Sequence, residues 1–473
     1  MKKRAGIGRR AGALITAAAA VGTVAGTPAQ ARAHTEAQPQ ARIETQAKPQ
    51  AKPQAQPQAQ DRARIQAQAQ VRAVGGEALP PYTFDSAAQP VRGAASSSDA
   101  QELKAGGTYR DTLRKNGKVY YRVVLDGKRN TYVSVVAAPK PGGKVEYGDG
   151  FKVSIQDGSG TECGYQQASF SSARYTRPLA ASARRTVDPD GSSCQQPGNY
   201  YVLVERTTKT GSDQSDWDVE IRHLAEPLLK KAGPTELPEA WPSATPAPLT
   251  GEPKPRRGGS GIHDAASLAQ GEWRSDIRPG QTLFYRVPLD WGQQLFATAE
   301  LGSSTEGDDY VSHALVLSLE NPALGHVDTE TVGYSGKQAT LALGPQRPVA
   351  HENRTSYTEA TSGMRFAGWY YLSATLSPEI AGEYGDGPVP LTLRVKILNA
   401  AKPGPGYDGD PGPFAVTPDD KRAAETGSSG AQAAEEAERS DSMRLVAAAG
   451  IGTGTVLLLG LGAWTLVARR RTA

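Results

Sequence analysis

Residues 105–137 read AGGTYRDTLRKNGKVYYRVVLDGKRNTYVSVVA, and residues 269–301 read AQGEWRSDIRPGQTLFYRVPLDWGQQLFATAEL. Tyr109 corresponds to Trp273. Twelve residues on, Tyr121-Arg122-Val123 corresponds to Tyr285-Arg286-Val287, and Asp126 and Asp290 each follow the first aromatic by seventeen. Further along, Gly198-Asn199-Tyr200-Tyr201 corresponds to Gly368-Trp369-Tyr370-Tyr371, and the blocks close on WDVEIRHL and LTLRVKIL. Matched spacings at several separated places mark a duplicated domain. The local pattern is β throughout: YYRVVLD, FKVSIQD, YYVLVER and WDVEIRH alternate or run apolar, with Asp-Gly and Pro-Gly-Gly turns between them. No window carries a sustained helical stripe. The fold class expected is all-β: two tandem jelly-roll-like antiparallel β-sandwiches, at 100–225 and 267–400. In each Tyr-Tyr pair, alternation turns one ring to the core and the other to the outer face.

The remaining sequence addresses the chain to a membrane. The chain has 473 residues, with 52 Gly and 34 Pro, so turns and linkers are plentiful. A net charge of +4 does not suit a nucleic-acid binder. Residues 1–33 have a basic start, a short apolar stretch and A-x-A sites, the layout of a signal peptide. Residues 443–468 hold an uncharged run long enough for a single transmembrane helix. Arg469, Arg470 and Arg471 follow in the 469–473 tail and are expected to stay cytoplasmic, leaving the ectodomain outside. Gly450 and Gly454 make a G-x-x-x-G pair that permits a homodimer through the span. Residues 34–99, rich in Ala, Gln and Pro, are expected to be a disordered arm, 226–266 a Pro-rich linker, and 401–442 a Pro/Gly-rich then acidic stalk.

The run G-x-Y/W, then Y-Y/F-R-V-x-L-D, then G-x-Y-Y and a closing strand resembles the bacterial pre-peptidase C-terminal domain family. The resemblance covers both blocks and implies jelly-roll-like sandwiches with an accessory binding role rather than catalysis. The second block, through FYRVPLDWGQQLF and AGWYYLSA, also resembles membrane-proximal regions of actinobacterial surface proteins.

Few residues carry site chemistry. Cys163 and Cys194 are the only cysteines, and in an exported chain they are expected to form a disulfide. Asp157, Ser159 and Thr161 fit a D-x-S-x-T metal pattern, but that pattern needs an α/β domain, and an Asp-Gly turn explains it equally well. There is no H-E-x-x-H, no G-x-S-x-G elbow and no Walker loop, so no catalytic residue and no cofactor is assigned. Trp273, Trp291 and Trp369 are candidate ligand-contact aromatics that would stack on sugar faces if exposed; each also suits a core. The function expected is a non-enzymatic, membrane-anchored extracellular binding protein that contacts cell-wall polymer or another surface protein. The alternatives are a scaffold subunit of a membrane complex and a cryptic hydrolase.

Overall fold

The computed structural model describes residues 79–433 and 435, apart from 239, 248 and 250. The expected signal peptide, transmembrane helix and cytoplasmic tail, with Gly450, Gly454, Arg469, Arg470 and Arg471, lie outside the described residues. Among the described residues no helix is long and apolar enough to cross a membrane.

The first module contains β1 (Gln89–Pro90), β2 (Gln101–Glu102), β3 (Thr108–Leu113), β4 (Lys118–Leu125) and β5 (Arg129–Ala138), then β6 (Gly150–Gln156), β7 (Glu162–Ser169), β8 (Leu179–Arg185), β9 (Gly198–Thr207) and β10 (Trp217–Pro227). The second contains β11 (Lys254–Pro255), β12 (Ala266–Ser267), β13 (Gly271–Ile277), β14 (Thr282–Leu289) and β15 (Gln294–Leu301), then β16 (Val311–Glu320), β17 (His326–Tyr334), β18 (Ala339–Ala342), β19 (Gly368–Leu376) and β20 (Val389–Leu398). Their sheets are ordered β1-β3-β10-β5-β8 and β2-β4-β9-β6-β7, then β11-β13-β20-β15-β18 and β12-β14-β19-β16-β17. Adding ten to every strand of the first module gives the second. Within each, the pairs β3–β10, β4–β9, β5–β8 and β6–β7 are those of one long hairpin rolled on itself, the eight-strand arrangement of a jelly roll. The duplication holds to the residue. Tyr109 faces Ile221 as Trp273 faces Leu393, and Tyr121 faces Val202 as Tyr285 faces Leu372.

Period-two alternation builds each core. Tyr121, Val123 and Leu125 of β4 point inward onto Val133, Val135 and Ala137 of β5, and the same positions recur as Tyr285, Val287 and Leu289. The Cys163–Cys194 disulfide is formed, with Cα atoms 5.7 Å apart, and ties β7 to the loop before β9. It spans 31 residues, so replacing both cysteines by alanine is expected to cost about 3–4 kcal/mol in a urea titration.

The modules belong to one compact unit. The outer face of β5, β8 and β10 lies against the outer face of β14, β16 and β19. Val136 packs with Phe284, Leu324 and Tyr371, Tyr132 with Ala323 and Phe366, and Tyr175 with Val316. Ser134 Oγ donates to the Ala323 carbonyl at 2.6 Å inside this contact. The contact explains why TYVSVVA and LFYRVPL place apolar Tyr132, Val136 and Phe284 on the outward side: those strands are covered on both faces, and the polar Ser134 and Arg286 there are hydrogen-bonded. It also corrects the expected disposition of the paired aromatics. Tyr120 and Tyr201 are half-exposed as expected, but Phe284 and Tyr371 are buried by the neighbouring module.

Three segments expected to be spacers are part of the fold. In the 34–99 arm, Tyr82 stacks edge-on against Phe284, and Gln89–Pro90 extends the first sheet. In the 226–266 linker, the Pro234, Pro238 and Pro242 carbonyls accept from Arg354, Arg347 and Gln294, and Lys254–Pro255 is a strand of the second module. In the 401–442 stalk, Phe414 is wholly buried and α1 (Pro418–Thr426) opens on a Thr417/Asp420 capping box and buries Ala423 and Ala424. These proline-rich stretches do not need their own core because they use the modules' outer surfaces.

The junction contains a pH-sensitive carboxyl. Gln166 of β7 accepts from the Ser182 and His326 amides and donates to Glu359. Beside it, Glu320 of β16 is 8% exposed and its Oε2 has no partner among the described residues. Burial pushes its carboxyl from about 4.5 up to about 7, against the pull of the His326 charge. The folded form therefore holds a proton that the unfolded chain releases. This stabilising contribution is complete below pH 4.5 and is lost as pH rises through 7, a change of about 3 kcal/mol. Burial lowers His326, but the bond to Glu359 and the charges of Glu320, Glu359 and Asp328 outweigh it and raise the ring, so its contribution also declines with rising pH. Glu320→Gln is expected to flatten most of this profile, and at pH 8 to melt above the wild type.

Candidate functional site

The three tryptophans are not stacking faces. Trp273 and Trp291 are core residues, 3% and 8% exposed, and Trp369 is half-buried. Each is covered by a segment whose composition reads as a spacer. The Arg256 guanidinium lies 4.8 Å over the Trp273 ring, and Trp273 Nε1 donates to the Ala269 carbonyl. Tyr407 approaches Trp291 at 6.4 Å between ring centroids, and Lys402 N donates to the Trp291 carbonyl. Trp369 Nε1 donates to Asp420 at 2.8 Å while Arg286 sits 3.9 Å over its ring.

Asp157, Ser159 and Thr161 form the turn of the β6–β7 hairpin. Asp157 Oδ1 accepts from the Ser159 amide at 2.9 Å, the Ser159 hydroxyl at 2.7 Å and the Thr161 amide at 2.9 Å. The Ser159 hydrogen bond and these amides hold the Asp157 carboxyl below its ordinary value. An Asx turn therefore uses the carboxylate that a metal would need. Among the described residues no group of three His, Cys, Asp or Glu side chains is placed to hold a metal ion.

What the structure brings together instead is a pair of tyrosines at equivalent corners of the two modules. Tyr147 lies in the β5–β6 loop and Tyr310 in the β15–β16 loop; they are 65% and 69% exposed. Both are presented by built turns. Asp149 is fully buried, and its Oδ2 accepts from the Glu146 amide while Oδ1 accepts from Lys209, which closes the loop and lifts Tyr147 to its tip. Tyr310 lies along the backbone of Gly333 in β17, where a Cβ would overlap its ring and hydroxyl. The hydroxyl end of the ring is thus seated on the sheet while most of the side chain meets solvent. The neighbouring Asp309 carbonyl is anchored by the Tyr384 hydroxyl.

The tyrosines flank two hollows of about 300 and 580 Å³. Both hollows are lined by Ser312 and Glu379, so they form one groove across the module junction. Its floor is distorted backbone. β16 carries a bulge between Val311 and Leu315, and His313 within it has φ 49°. Ser171, beside the groove in the first module, has φ 53°. Bulges and left-handed non-glycine residues are costly, and they concentrate where a surface is shaped for a ligand. Tyr175 of the first module donates to the His313 carbonyl at 2.9 Å and locks the two sides together. Exposed carboxylates of Asp309, Glu379 and Glu383 line the groove, with Arg174 at one end.

This arrangement offers aromatic faces to C–H surfaces and carboxylate oxygens to hydroxyl or amino donors. The sequence signal was partial. Tyr147-Gly148-Asp149 and Gly307-Asp308-Asp309 are visible as turns ahead of comparable strands, but the exposure of the tyrosines depends on where the modules meet.

No protein-family model matches the chain, and no curated protein matches it. Solved structures resemble it weakly. The cryo-EM structure of broad bean stain virus is 9% identical over 67% of this chain and 95% of that one, with a TM-score of 0.16. The tandem CBM22 domains of Paenibacillus barcinonensis Xyn10C are 12% identical over 69% and 99%, with a TM-score of 0.17. The ANX1 ectodomain of Arabidopsis thaliana is 9% identical over 62% and 84%, with a TM-score of 0.17. Scores this low carry no argument about fold or function; the two-sandwich architecture rests on this chain's own strand order.

Proposed function

We propose that this is a non-enzymatic, membrane-anchored extracellular binding protein whose Tyr147–Tyr310 groove holds a glycan chain of the cell wall. The observation that carries the reading is the pair of solvent-facing tyrosines at equivalent corners, bracketing one groove lined by carboxylates. A sugar ring presents a C–H face suited to a phenol ring and hydroxyls suited to Asp309, Glu379 and Glu383. The signal-peptide pattern at 1–33 and the apolar run at 443–468 support export and anchoring, with Arg469 to Arg471 inside. The absence of catalytic motifs from the sequence supports a binding role over a hydrolase.

The test is co-sedimentation of the full-length protein with washed Gram-positive cell walls. Wild-type protein is expected to pellet saturably. Tyr147→Ala and Tyr310→Ala are each expected to weaken binding about 5–30-fold, the loss of about 1–2 kcal/mol that suits a central aromatic contact. Both side chains are largely exposed, so the melting temperature should hold. Gly333→Ala is expected to weaken binding as well, by lifting Tyr310 from its seat. Failure of the wild type to pellet would sink the glycan reading and turn the search to a protein partner at the membrane.

A further inference from the structure

A separate hollow of about 600 Å³ opens where β8, the 228–235 segment and the His351–Thr355 turn converge. Arg184, Arg354 and Arg365 line it. Arg365 is only 6% exposed, its Nε is buried without a partner, and among the described residues no hydrogen bond or ion pair meets its guanidinium. What holds it is aromatic. Its central carbon lies 5.1 Å from the Tyr132 ring and 4.6 Å from the Phe366 ring. Such contacts engage the π face of the guanidinium and leave its N–H groups, which lie in the plane, free to donate.

Arg184 lines the same hollow, also without a hydrogen bond or ion pair among the described residues. The charge of Arg365 is the main cause that lowers its pKa, so the two cations repel each other. The carboxylates nearby are hydrogen-bonded to other groups, although the Glu359 charge still attracts Arg184. Glu226 accepts from Asn130 at 2.9 Å, Tyr132 at 2.7 Å and Tyr407 at 2.8 Å, and Glu359 faces Gln166 and His326. Arg354 donates to the Pro234 and His351 carbonyls, and Asp188 stands at the rim. Arg184 is solvent-exposed, so its share of the repulsion is screened; the buried and undersatisfied Arg365 guanidinium carries the cost that an anion would recover.

We propose that this hollow binds an oxyanion, a carboxylate or phosphate group, between Arg184 and Arg365. The planar fork of arginine suits bidentate contact with either group. Val187, Pro227, Leu228 and Leu229 form an apolar wall for the body of the molecule that bears it, and the volume suits a small acid.

The experiment is calorimetric titration of the full-length protein, at low salt, with inorganic phosphate and with D-glucuronate, using D-glucose as the uncharged control. Saturable binding of at least one anion and none of glucose is expected. Comparison of the two anions separates a tetrahedral phosphate from a planar carboxylate. Arg184→Gln should weaken the bound anion at least tenfold while the melting temperature without ligand stays level or rises, because a repulsion has been removed. Arg365→Gln should abolish binding; if that variant does not fold, Arg184→Gln decides alone. Tyr147→Ala and Tyr310→Ala should leave the anion isotherm unchanged, so failure here and failure of the glycan groove are distinguishable. No binding of either anion at millimolar concentration, or binding unaffected by Arg184→Gln, overturns the proposal.

Discussion

Replacing Tyr132 with alanine is expected to destabilise the protein by about 3–5 kcal/mol, the range for removing a large buried aromatic. Tyr132 projects from the outer face of β5, which in an isolated sandwich would meet water. Here it is almost wholly buried, edge-on to Phe366 at 5.2 Å and to Phe414 at 5.5 Å. Its hydroxyl donates to Glu226 at 2.7 Å. Alanine would leave a cavity among residues from three regions of the chain and take one of three donors from a buried carboxylate. Tyr132→Phe keeps the rings and loses only the hydroxyl, so it should cost about 1 kcal/mol. Urea midpoints for the pair measure both effects. If alanine costs no more than phenylalanine, the modules do not pack as described.

The second large effect is expected at Arg185. It is fully buried, yet it has no carboxylate partner among the described residues. Its Nε donates to the Cys194 carbonyl at 2.7 Å, one terminal nitrogen to Asp126 at 3.0 Å and Arg129 at 3.4 Å, and the other to Gln195 at 3.0 Å. The Tyr200 ring covers it at 5.4 Å. One guanidinium thus clamps the loop after β4 and the disulfide loop to the edge of β8. Methionine fills similar space but strands these carbonyls, at about 1–3 kcal/mol for each one left buried. Arg185→Met is therefore expected to cost about 3–5 kcal/mol; Arg185→Lys should cost less, because its ammonium still donates to some of these carbonyls, but not nothing, because it cannot reproduce the fork. A loss under 1 kcal/mol would show that water replaces the clamp. Strand register aligns Arg185 with Pro345 in the second module, so clamp and disulfide occur together in the first alone.

The duplication was legible because its signals are local. An aromatic at the start of β3 or β13, Tyr121 or Tyr285 twelve residues later, and Gly-x-Tyr-Tyr at β9 or β19 each fix a core position through period-two alternation. The cysteines were legible because the chain offers only one pairing. Docking of the modules was harder to read. Its trace is that Tyr132, Val136 and Phe284 are apolar on the outward side, with only Ser134 and Arg286 polar there, and such runs also suit a strand at the centre of an ordinary sandwich. The sequence left the tryptophans open between core and ligand contact for a related reason. Their covers, around Arg256, Tyr407 and Asp420, come from proline-, glycine- and acid-rich stretches whose composition signals a spacer. Composition reports what a segment buries for itself, not what it covers on another element. Tyr165 and Tyr357 are exposed as well, so exposure alone does not single out Tyr147 and Tyr310; their place beside the hollows at the module junction does, and that is a tertiary property.

The measurement that bears most directly on the binding groove is amide hydrogen exchange of the full-length protein with and without soluble peptidoglycan fragments. The account predicts slowed exchange in four segments together: 145–149, 171–175, 309–313 and 379–383. These are far apart in sequence and come from both modules, so their joint protection would mark one groove. Protection confined to other segments, or none at saturating fragment, would contradict it.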